Sequence, residues 1–120
     1  MSETNNQWID AIAKLTELTQ NGKLEWGVDE FFEAPGAASP AYTAVFNNRT
    51  MRLQKRRVTE ESLFGKRQVR DAFTLEFVGP QGNSLWQFPE IDAIEDLFAA
   101  VQYQTAGVRE FLNDILSKAG

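Results

Sequence analysis

Apolar side chains recur at helical spacing in the first part of the chain: Trp8, Ala11, Ile12, Leu15 and Leu18 fall on one stripe. Asn5 or Asn6 can cap the free amides at the start of that helix. Asn21-Gly22 ends it, since glycine reaches the left-handed conformation that closes a helix C-terminus. Residues 24–28 then alternate and suggest a short extended piece. The stretch from Asp29 and Glu30 through Glu33 to residues 34–40 reads as a loop, punctuated by Pro35, Gly36 and Pro40.

The middle of the chain has the two-residue period of strands. Residues 41–46 and 50–58 flank Asn47-Asn48-Arg49, and asparagine tolerates the positive φ of a tight hairpin turn. Residues 69–78 and 84–88 flank Gly79-Pro80-Gln81-Gly82-Asn83, a second turn. Alternation puts Phe46, Met51, Leu53, Phe73, Leu75 and Phe77 on one face, with Trp86 and Phe88 beside them. Arg52, Gln54, Arg56, Arg70, Thr74 and Glu76 take the other. One apolar and one polar face describe an antiparallel sheet covered on one side.

The last quarter returns to helical spacing. Ile94, Leu97, Val101, Gln104, Val108, Phe111 and Ile115 step by threes and fours, widened by Phe98, Leu112 and Leu116. The run predicts one long helix over 92–118, opened by an Asp92-x-x-Glu95 capping box downstream of Pro89. Gln104, Thr105 and Gly107 interrupt its stripe. Close packing against the first helix or the sheet accounts for them; a small polar pocket near Tyr103 is the sharper alternative. The expected architecture is a single α+β domain spanning 1–120: an N-terminal helix, four antiparallel strands in two hairpins, and a long C-terminal helix. Both helices lie on the apolar face. Leu15, Leu53, Leu75, Phe77, Leu97, Val101, Val108 and Phe111 are expected in one buried cluster. The stripe of the second helix is wider than a small sheet covers, which points to a homodimer.

Composition narrows the chemistry. With 42% hydrophobic residues, nine Phe and three Trp, the chain can fill an interior and is not of the disordered class. The absence of Cys rules out thiolate nucleophiles and cysteine metal sites, and the absence of His removes the commonest general base. No apolar run approaches a membrane span, and residues 2–7 lack the order of a signal peptide. A cytoplasmic, non-enzymatic protein without cofactor is the expectation. Of the two carboxylate clusters, Asp29, Glu30 and Glu33 lack the glycine spacing of a calcium loop, and Asp92, Glu95 and Asp96 are explained by helix capping.

The net charge of −5 hides a segregation. Eight of the twelve basic residues (Arg49, Arg52, Lys55, Arg56, Arg57, Lys66, Arg67 and Arg70) lie between positions 49 and 70 against only Glu60 and Glu61. That segment carries +6 and the remainder −11. These eight residues are the candidate partner-binding set, since arginine suits bidentate contact with carboxylate or phosphate. The plainer account is a solvated sheet face whose arginines pair with Glu76, Glu60 and Glu61. Nucleic-acid binding is the alternative function. Against it stand the overall acidity and the inward-facing aromatics, because RNA-binding sheets stack bases on an open aromatic face.

The runs over 15–26 (Leu-Thr-Glu-Leu-Thr-Gln-Asn-Gly-Lys-Leu-Glu-Trp) and 103–115, with Tyr-Gln-x-Ala-Gly-Val-x-Glu-Phe-Leu, resemble a group of small uncharacterised bacterial proteins laid out as helix, antiparallel sheet and long helix. The resemblance implies that fold and no activity, cofactor or site. The expected role is a non-catalytic interaction protein, whether adaptor, chaperone-like binder, or inhibitor or immunity-type protein, whose partner is another protein.

Overall fold

In the computed structural model, which describes residues 5–29 and 40–118, helix α1 spans Asn5–Gln20. Trp8, Ile12, Leu15 and Leu18 face the interior as their spacing requires. The helix closes on Gly22, whose φ is +73°: the Gly22 amide bonds the Thr19 carbonyl and the Lys23 amide bonds that of Leu18. This is the paired-bond closure that a left-handed glycine permits.

Five strands follow: β1 Gly27–Asp29, β2 Ala41–Phe46, β3 Arg49–Glu61, β4 Arg67–Val78 and β5 Ser84–Gln87. They form one antiparallel sheet in sequence order, β1-β2-β3-β4-β5. Four strands were expected, and β1 is the addition. Its first two residues close the short extended piece that alternation suggests over 24–28, and pairing with the start of β2 makes it a strand. Asn47 and Asn48, at φ of +52° and +63°, make the tight turn between β2 and β3. The expected face holds for Met51, Leu53 and Leu75, which are buried, and for the half-buried Phe77, and the strands pair with Leu53 opposite Leu75 and Met51 opposite Phe77.

Two helices close the chain where one was expected, α2 over Ala93–Thr105 and α3 over Val108–Lys118. The break is at Gly107, whose φ of +69° lies in the left-handed region that favours glycine. The interruption of the stripe thus marks a helix end rather than a close mid-helix contact. The capping box also fails to form. Asp92 has helical dihedrals and its side chain makes no cap hydrogen bond, because such a bond needs an extended N-cap backbone.

Ile12, Leu53, Leu75, Ile94, Leu97 and Val101 are fully enclosed between the sheet and helices α1 and α2. A ring cluster of Trp8, Phe77, Trp86 and Phe88 seals one side, with centroids 4.9 to 6.2 Å apart. Tyr42, Phe73 and Phe98 form a second. Phe46 shares the apolar parity but sits exposed at the end of its hairpin. Val108 and Phe111 do not join the core: Val108 is half-buried and Phe111 is 63% exposed, since the break at Gly107 carries α3 off the α2 stripe. Among the described residues no helix is long and apolar enough to cross a membrane.

Candidate partner-binding surface

The polar face of the sheet is not the open platform that alternation suggests. Arg52, Gln54, Thr74 and Glu76 are all buried at its centre. The Arg52 guanidinium donates to Glu76 through Nε at 2.8 Å and Nη2 at 2.6 Å, and through Nη1 to the Gly82 carbonyl at 2.9 Å. Gln54 donates to the same Glu76 oxygen. Charge complementarity between directly opposed residues is why the pair forms, Arg52 standing across from Glu76 in the β3–β4 register. Arg52 is therefore a structural residue and is withdrawn from the surface set. Arg56 is half-buried, and its Nε makes no hydrogen bond.

Of the remaining basic residues, Arg57, Lys66, Arg67 and Arg70 lie on a projection whose outer part, 59–68, the expected strands leave between them; Lys55 and Arg56 lie at its base, and Arg49 stands at the far end of β3 opposite Phe46. β2 pairs with β3 only as far as Leu53, and β5 with β4 only between Glu76 and Val78. Beyond Ala72 the two central strands continue alone as five further pairs, Arg57 opposite Asp71 through Glu61 opposite Arg67. This ribbon reaches about 17 Å past the core at 3.4 Å per pair. All its residues are exposed except Val58, which is half-buried. Its charges hid it, because Arg, Glu, Gln and Lys are poor strand signals whatever the backbone does.

The tip is a five-residue turn. Ser62 and Lys66 close it backbone to backbone, Gly65 turns it at φ +74°, and the Ser62 hydroxyl accepts from the Phe64 and Lys66 amides. That arrangement leaves no inward direction for Leu63 and Phe64, which are 102% and 90% exposed. Along the ribbon, Arg70 pairs with Glu60 and Glu90, Arg67 with Glu61, and Lys55 with Asp71. Hydrogen bonding to Glu60, then to Glu90, raises the Arg70 pKa, so the group stays charged. Among the described residues Arg49, Arg57 and Lys66 make no ion pair.

Helix α3 supplies a second uncovered surface. It is tethered by the Arg109 guanidinium, which donates to the Gln20 carbonyl, and no residue of α3 is buried. Phe111, Leu112, Ile115 and Leu116 make an apolar stripe 43% to 68% exposed. Between α1 and the α2–α3 junction runs an open cleft of about 1130 Å³ with Thr16, Trp26, Tyr103 and Arg109 on its walls. Gln104 is not free in it, being hydrogen-bonded to Trp26, Thr19 and Leu24.

Of the expected loop over 29–40, residues 30–39, Glu30 and Glu33 among them, lie outside the described residues, and Asp29 belongs to β1. Asp92, Glu95 and Asp96 are all exposed, and Asp92 and Glu95 line a shallow hollow beside Arg70 and Glu90. No group of three or more metal-ligating side chains occurs among the described residues. Leu63 and Phe64 carry no signal in the sequence beyond a Leu-Phe pair set between Ser62 and Gly65 in a charged run, whereas the α3 stripe belongs to the apolar surplus that points to self-association. In comparisons with known proteins, no family model matches the chain, and neither does any curated protein or solved structure.

Proposed function

We propose that the protein is a non-catalytic interaction protein that engages another protein through the β3–β4 arm. The observation that carries this reading is the pair Leu63 and Phe64, fully offered to solvent on a projecting ribbon. A two-stranded ribbon adds little to stability by itself, and burying such side chains on a partner is worth about 1.5–3 kcal/mol each. Arg57 and Lys66, free of internal ion pairs, supply positive charge beside that apolar tip for a partner of acidic character.

The test replaces Leu63→Ser together with Phe64→Ser and compares proteins captured by the variant and by the wild type. The variant should keep the wild-type circular dichroism spectrum and lose the specific captured proteins. Retention of the same proteins at the same yield would end the reading. One observation favours a second reading: Phe64 beside Lys66 and Arg67 is the arrangement that stacks an unpaired base over positive charge. A salt-sensitive gel shift with single-stranded oligonucleotides, lost in the same variant, would select it.

A further inference from the structure

We infer that the partner of the arm is a second copy of this chain, the tip of each arm seated on helix α3 of the other protomer in a closed two-fold dimer. The inference rests on the arm being a binding surface and goes on to name what it binds. Two unpartnered apolar surfaces stand on one protomer: Leu63 and Phe64 at the tip, and Phe111, Leu112, Ile115 and Leu116 along α3. Together these six side chains expose on the order of 700 Å², close to the roughly 800 Å² per partner of a standard stable interface. Neither surface alone reaches that size.

Charge fits the same pairing. Glu110 and Asp114, one turn apart beside the α3 stripe, make no ion pair among the described residues. Lys66 and Arg67 adjoin the tip, and Lys66 is unpaired as well. Seating an arm on α3 brings the two signs together at the rim of an apolar contact, the usual division of an interface. Pairing α3 with α3 instead would bring two acidic rows together and leave both tips bare. Two-fold closure lets one contact, made twice, cover all four surfaces.

The chain contains no cysteine, so introduced thiols report the geometry without background. Phe64→Cys and Leu112→Cys, each separately mass-tagged and mixed under mild oxidation, should give the mixed 64–112 disulfide in excess over both symmetric products. Sedimentation at micromolar concentration should show a species twice the 13.6 kDa of the protomer. Glu110→Lys with Asp114→Lys should weaken the dimer by about tenfold or more, and Lys66→Glu with Arg67→Glu on the same chain should restore it. A monomer at all accessible concentrations, or a predominant 112–112 product, overturns the inference. If Leu63→Ser with Phe64→Ser then still abolishes capture of a different protein, the arm remains a binding surface and only its occupant changes.

Discussion

Inside the stripe of α2, the Gln104 side chain accepts a hydrogen bond from the Trp26 amide at 2.7 Å and donates to the carbonyls of Thr19 and Leu24 at 3.0 and 2.8 Å. The Trp26 amide and the Leu24 carbonyl belong to the segment leading into β1, where neither helix nor sheet satisfies them, while the Thr19 carbonyl already accepts from the Gly22 amide at the end of α1. The indole of Trp26 adds a bond to the Thr19 hydroxyl, which itself donates to Leu15. Gln104→Ala should therefore cost about 1–3 kcal/mol, the penalty for stranding polar groups away from water. Gln104→Glu should cost at least as much, since a carboxylate cannot donate to two carbonyls. Urea denaturation measures both. The sequence displayed Gln104 only as a break in an apolar pattern, because its partners stand some 80 positions away and no local rule joins them. Arg52 shows a related limit: alternation gave its face and its pairing with Glu76 was the plainer account, but the burial of that pair was not legible.

Among the elements, those defined by nearby residues were legible. The end of α1 at Gly22 and the Asn47-Asn48 turn follow from side chains within a few positions of one another. The C-terminal helix was not, because three- and four-residue spacing in a sequence continues unchanged across a left-handed glycine that turns the chain off the stripe. At Gly107 an added Cβ would meet only the Glu110 carboxylate at 3.7 Å, an ordinary contact, so the backbone conformation itself demands glycine. Gly107→Ala should destabilise by roughly 1–2 kcal/mol, the cost of placing an L residue in the left-handed region. Asn at that position should recover part of the loss. If Gly107→Ala proves stabilising, α2 and α3 have fused, and helical content measured by circular dichroism would rise with it.

At the scale of the whole chain, the radius of gyration is 16.5 Å. A compact chain of 120 residues would have about 14 Å. The arm and α3, both projecting with little buried surface, are the features that account for the excess. Stability should divide along the same line. Leu75, wholly enclosed between the sheet and α2, should cost roughly 2–5 kcal/mol on Leu75→Ala. Phe111→Ala, at a dilution where only protomers are present, should change stability by no more than about 0.5 kcal/mol, because its ring already faces water. Chemical denaturation of both variants at nanomolar concentration is the measurement. Equal losses would place α3 in the core and remove the apolar stripe on which self-pairing depends.

The sheet's outermost strands, β1 and β5, have three and four residues. Strands that short give a foreign chain little backbone to pair with, which is one way proteins avoid aggregation. The ribbon is different. Past the reach of β2 and β5, each of its strands has an outer edge whose amides and carbonyls alternate toward solvent. Arms from separate molecules could zip together along those edges into growing sheets, and an apolar tip would help them start. Arg57, Glu60, Glu61, Arg67, Arg70 and Asp71 crowd both strands with charge that such stacking would have to desolvate. The basic segment thus acts as a guard on an otherwise sticky edge, whatever its role in recognition.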